Sequence, residues 1–308
     1  MKKTGLALGS GGARGLSQIG VMLWLKENDI EVSCISGTSI GSIIGAAIAY
    51  GYTPEYLRDL ALEIKWIDIL KFLRPSLKGS SFLEWSRIGE FLDEMFGGKT
   101  IEELKIPFAC VATDIDTGNE YVFRKGKVTD ALRASACIPA VFPAVERNGI
   151  HLVDGALVNP VPINLAFELS ADAVIGVNAN LSIFTERRTL EDAPASRRDK
   201  VDSRLKRLLD GNPLVKRGLI DTAGLERRIK EHRRKRNIMD VVTDTAAIAS
   251  SKILSLELLD TDGPVYLIRP EVGGYQDFDF DMAEDIFNHG YRKAEESGEE
   301  ILDFCLDG

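Results

Sequence analysis

The chain has 308 residues, 44% hydrophobic and 28% charged, enough to bury a sizeable core in one large α/β domain or two small ones. A net charge of −9 argues against a general nucleic-acid binder, and no nucleic-acid partner is expected. Four widely spaced cysteines without a C-x-x-C pair argue against a zinc site or a disulfide framework.

In chain order, Thr4 to Leu8 reads as a short apolar strand that ends in GSGGARG at residues 9–15. Leu16, Ile19 and Leu23 then recur at helical spacing as far as KEND at 26–29. Val32 to Ser36 is a second strand, Ser39 lies in the turn after it, and Ile40 to Tyr50 reads as a buried helix. Residues 32–54 carry no charge and could on paper span a bilayer, but glycines and hydroxyls crowd the first half, favouring a buried helix. Residues 53–104 read as mostly helical and include Trp66 and Phe72. Further strands are expected at 108–113, 120–126, 151–155, 173–179 and 265–270, and amphipathic helices at 238–259 and 279–305. This alternation predicts an α/β fold with a mainly parallel sheet covered on both faces.

Residues 182–236 differ in composition. They hold 17 Lys and Arg against 9 Asp and Glu, a local balance of +8 that leaves −17 on the rest. The division expected is a catalytic core at 1–181, a basic insertion at 182–236 and a C-terminal part of the same domain at 237–308. The insertion reads either as a solvated segment or as an electrostatic contact with anionic lipid. MKK is followed by glycine-rich polar sequence where a signal peptide would have an apolar stretch, so a cytoplasmic location is expected, peripheral at the membrane if the insertion binds lipid.

Two glycine-rich turns carry the chemistry. Gly37-Thr38-Ser39-Ile40-Gly41 is a G-x-S-x-G between a strand and a helix, which sets the serine on a tight turn at a helix N-terminus. GSGGARG has Ser10 where a dinucleotide fingerprint needs glycine, and no acidic residue ends the second strand. If the first two strands are neighbours, both loops leave the same side of the sheet and the N–H groups of Gly11 and Gly12 face Ser39 as an oxyanion hole. A base is harder to find. His232 and His289 read as surface residues, and His151 starts the strand whose other end carries Asp154, roughly 10 Å away. A Ser-His-Asp triad is therefore poorly supported, leaving Asp154, Asp114 and Asp116 as carboxylates that follow strands.

GLALGSGGARGLSQIGVM, SGTSIGS and LVDGALVNPVP, in this order, resemble the patatin-like phospholipase family, of the small bacterial kind related to neuropathy-target-esterase-like lysophospholipases. The match runs from about Thr4 to Asn178. The resemblance implies a three-layer α/β/α fold with a mainly parallel central sheet and a nucleophile elbow. Carried over, Ser39 is the nucleophile and Asp154 the base. Gly11, Gly12 and Ala13 supply oxyanion N–H groups, and Arg14 is the basic residue of the glycine loop. Gly37, Gly41 and Gly155 complete the motifs, and Asp114 and Asp116 take a structural turn role. A serine lipid acyl hydrolase acting on a lipid ester through an acyl-enzyme, with no metal or organic cofactor, is the activity so implied. A transacylase with the same dyad and a non-catalytic regulatory member are the alternatives.

Overall fold

A computed structural model describes residues 2–63, 86–180 and 238–306. Trp66 and Phe72, with the rest of 64–85, lie outside the described residues, as do His232 and the basic insertion at 182–236. The chain divides into two compact units, residues 1–182 with 246–308 and residues 183–245. The sheet and the site belong to the first.

Strands β1 (Thr4–Leu8) and β2 (Val32–Thr38) are adjacent and parallel, with Leu8 opposite Gly37. On the far side of β1 lie β7 (Ala173–Val177) and then β8 (Val265–Ile268), both parallel to it. β3 (Phe108–Asp114) follows β2 in parallel, whereas β4 (Glu120–Phe123), β6 (Ile150–Asp154) and β5 (Val145–Arg147) run antiparallel to their partners. The sheet of the described residues thus has eight strands and is mixed but mostly parallel.

Successive side chains of a strand alternate between faces, so the two layers of helices can be read from neighbours in sequence. Ala7 and Cys34 pack with Ile163 and Ala166 of α6 (Ile163–Glu168) and with Leu254 of α7 (Ile238–Asp260). Leu8 and Ile35 face the other way, and there Gly45 of α2 (Ile40–Tyr50) comes so close to Ile35 that an added Cβ would sit 2.8 Å from it. The uncharged run is therefore a strand, a turn and an 11-residue helix inside the core. None of the described helices is long and apolar enough to cross a membrane.

β3 sets the relative position of the two C-terminal ends that matter. β4 takes one of its edges at Cys110–Thr113. The other edge is occupied by β2 as far as Val111, opposite Thr38, and by β6 from Ala112, opposite Asp154. β2 and β6 consequently run toward each other along a single edge and meet end to end. The reversal that delivers β6 is the Asn148-Gly149 turn after β5, with φ of 52° and 81°.

α1 (Ser17–Glu27) begins where the glycine loop ends and crosses α8 (Ala283–Glu296) at two close approaches. A Cβ on Gly20 would meet the Phe287 carbonyl at 2.2 Å, and one on Gly290 the Ser17 carbonyl at 1.8 Å. The remaining described helices are α3 (Pro54–Glu63), α4 (Ser86–Phe96), α5 (Val128–Ser135) and α9 (Gly298–Leu306).

Candidate active site

Ser39 sits between β2 and α2 at φ 57° and ψ −124°, a region that costs a non-glycine residue about 1–3 kcal/mol unless its surroundings enforce it. They do so from three sides. Its N–H donates to Ser135 Oγ at 3.0 Å, its carbonyl accepts the Ser42 hydroxyl at 2.6 Å, and the neighbouring Thr38 hydroxyl donates to the Asn159 carbonyl at 2.8 Å. The flanking glycines are required by contact. A Cβ on Gly37 would lie 2.6 Å from the Gly41 carbonyl, and one on Gly41 would lie 2.2 Å from the Leu8 carbonyl. Gly41 thereby brings the start of α2 against the start of the glycine loop.

The strain aims the hydroxyl at a carboxylate. Ser39 Oγ donates to Asp154 Oδ2 at 2.6 Å, and both residues are buried, 6% and 5% exposed. Asp154 is itself fixed: its Oδ1 accepts the Ala156 N–H at 2.9 Å, its N–H donates to the Cys137 carbonyl at 2.8 Å, and its carbonyl accepts the Thr113 hydroxyl at 2.8 Å. Gly155 follows because a Cβ there would meet the Val111 carbonyl at 2.3 Å. Burial pushes the Asp154 carboxyl up to about 6, the bonds from Ser39 and Ala156 oppose that rise, and the charge of Asp277 adds to it. Such a group is ionised just above neutral pH yet basic enough to take a proton.

Neither described histidine is bonded to this pair. His151 is exposed and sits with Nδ1 2.9 Å from Asp116 Oδ2, while His289 packs edge-on to Tyr275 at 5.8 Å. Asp114 closes a turn, accepting the Asp116 N–H at 3.0 Å and the Thr117 hydroxyl at 2.8 Å. Among the described residues no group of His, Cys, Asp and Glu side chains could hold a metal ion.

In the glycine loop, Gly9 and Ser10 donate their N–H groups to Val177 and Pro160. Gly11 and Gly12 adopt φ of 150° and 57°, and their N–H groups find no acceptor among the described residues. Ala13 does not add a third free donor, because its N–H is bonded to the Asp277 carbonyl at 2.8 Å. Arg14 is 2% exposed and faces away toward residues 275–277, with Nη1 3.1 Å from the Tyr275 carbonyl and Nη2 2.5 Å from Asp277 Oδ1. Ser42, Ser135 and Asp277 escaped the sequence reading. Ser42 carried a signal, a hydroxyl three residues into a helix that starts at Ser39, whereas nothing local marks Ser135 or Asp277.

A family model described as patatin-like phospholipase matches residues 6–167, which contain the serine, the carboxylate and the glycine loop. The chain belongs to that family. Relatives include an NTE family protein of Mycobacterium tuberculosis, 35% identical over 193 residues that cover 63% of this chain and 51% of the relative. Lysophospholipase NTE1 of Phaeosphaeria nodorum is 28% identical over 94% of this chain and 18% of its own length. The human patatin-like phospholipase domain-containing protein 6 is 27% identical over 93% of this chain and 20% of its own. The chain therefore spans about half of the mycobacterial relative and about a fifth of the longer ones. Among solved structures it is similar to VipD from Legionella pneumophila, with a TM-score of 0.46 and 13% identity over 96% of this chain and 66% of that one.

Proposed function

We propose that this protein is a serine lipid acyl hydrolase in which Ser39 and Asp154 act as a dyad. The observation that carries the reading is the buried 2.6 Å bond from Ser39 Oγ to Asp154, made by a serine held in a strained turn at a helix N-terminus. Family membership and relatives named lysophospholipase support a lipid ester as substrate. Asp154 takes the Ser39 proton as Oγ adds to the ester carbonyl. The N–H groups of Gly11 and Gly12, with the N-terminus of α2, stabilise the oxyanion. Asp154 then returns the proton to the departing alcohol, deprotonates water for attack on the acyl-serine, and the fatty acid leaves with Ser39 restored. No metal or organic cofactor has a role. The basic residues 182–236 bring the enzyme to anionic lipid as a cytoplasmic, peripheral protein, a reading supported by their +8 balance against −17 elsewhere.

A fluorophosphonate probe tests the nucleophile. Intact mass should rise by one adduct in wild type and not in Ser39→Ala. Absence of the adduct on folded wild-type protein would sink the enzyme reading. Product analysis with a lysolipid or glycerol acceptor separates release to water from acyl transfer.

A further inference from the structure

Asp277 lies outside residues 6–167 matched by the family model, yet three independent contacts tie it to the glycine loop. Its carbonyl takes the Ala13 N–H at 2.8 Å and its carboxylate takes Arg14 Nη2 at 2.5 Å. Its backbone also packs on Gly12 so closely that a Cβ there would sit 2.5 Å from the Asp277 carbonyl. The segment that presents it is anchored on both sides. Val272, Tyr275 and Met282 are buried to 2%, 1% and 1%, and the Asp279 side chain accepts the Gln276 N–H at 2.8 Å. Tyr275 rests on His289 of α8, the helix that crosses α1 at Gly20 and Gly290. The loop ahead of α1 and the strap ahead of α8 are thus held against each other by the crossing of the helices that follow them.

We propose that Asp277 is a positioning residue of the reaction. It holds the glycine loop through Ala13 and Arg14 so that Gly11 and Gly12 present the two donors that find no acceptor among the described residues, and its negative charge acts on the base. The inference rests on the Ser39–Asp154 dyad. A three-point contact fixes the direction of N–H groups that no side chain of the loop could fix, since residues 11 and 12 have none. It also accounts for the buried guanidinium of Arg14, whose charge is met by Asp277. Among the described residues Asp277 is the charged group that acts on Asp154, and it disfavours ionisation; Ser39 and the Ala156 N–H favour it.

The test uses the full chain, a short-chain p-nitrophenyl ester, and rates per site titrated with fluorophosphonate, so that loss of folded protein does not count. Asp277→Asn keeps the side-chain volume and removes the charge. The acidic limb of its kcat/KM profile should move to lower pH, because the charge that raises the Asp154 carboxyl is gone. Asp277→Ala also breaks the link to Arg14, and kcat should fall about ten-fold or more with KM changed less than two-fold, because a misdirected oxyanion donor is lost mainly in the transition state. A residue that only supported the fold would lower the titrated fraction and leave the limb in place. An unmoved limb in Asp277→Asn overturns the proposal, and so does an unchanged kcat per site in Asp277→Ala. Activity retained in Ser39→Ala would instead overturn the dyad, so the two failures are distinguishable.

Discussion

Asp154 illustrates how a candidate site costs stability. The Asp154 carboxyl is pushed up to about 6 in the fold from an ordinary 3.8, chiefly by burial. An acid raised in this way contributes stability that is complete below the unfolded value and is lost as pH rises through the folded one. Two pKa units correspond to about 3 kcal/mol, an upper bound for a group that retains hydrogen bonds. Asp154→Asn should therefore melt several degrees above wild type at pH 8, with the gap closing between about pH 6 and 4. Differential scanning fluorimetry across that range checks it, and a gap that does not depend on pH would refute the cause given. Glu257 extends the pattern beyond the site. Burial, reinforced by Glu120, pushes its carboxyl up to about 8, and its Oε2 has no hydrogen-bond partner among the described residues. The fold loses this contribution as pH rises through 8, so Glu257→Gln should stabilise the protein more at pH 9 than at pH 5, as read from the same melts.

At the scale of elements, the turns depend on backbone contacts that only glycine permits. Gly41→Ala would drive a Cβ to 2.2 Å from the Leu8 carbonyl, which is backbone and cannot swing away. It should cost about 1–3 kcal/mol and most of the activity. Gly89, inside α4, has nothing among the described residues within 4 Å of an added Cβ, so Gly89→Ala should stabilise by about 0.5–1 kcal/mol. Urea unfolding of the pair should give opposite signs. The same elements show where the sequence could be read. β1, α1, β2 and α2 follow from apolar periodicity and glycine punctuation, and the structure places them within about two residues of expectation. The strand–helix rhythm could not say that β6 runs antiparallel and meets β2 end to end, because direction within a sheet is set by pairing, not by local pattern. A local clue existed in Asn148-Gly149, a strong hairpin signal that also announces the three-residue strand β5. The contact between Ser39 and Asp154 was legible because the motif of each lies in a continuous stretch. Asp277 was not, because it reaches Arg14 from 263 residues away.

Across the whole molecule, charge is unevenly divided. Residues 182–236 carry +8 while the rest carries −17, so an anionic surface would repel most of the chain and attract this segment. Replacing Arg233, Arg234, Lys235 and Arg236 by Gln should weaken co-sedimentation with phosphatidylserine vesicles at least ten-fold, at roughly 1 kcal/mol per charge. Hydrolysis of a soluble ester should be unaffected. Equal vesicle binding by the variant would remove the membrane role of these four residues.

The chemistry itself comes down to one comparison. Fatty-acid release from a lysophospholipid at pH 8 should be measured per folded molecule for wild type, Ser39→Ala and Asp154→Asn. With active wild type, Ser39→Ala should fall to background and Asp154→Asn should lose at least ~100-fold, the contribution of a general base. Full activity in Asp154→Asn would contradict the dyad, and full activity in Ser39→Ala would contradict the nucleophile.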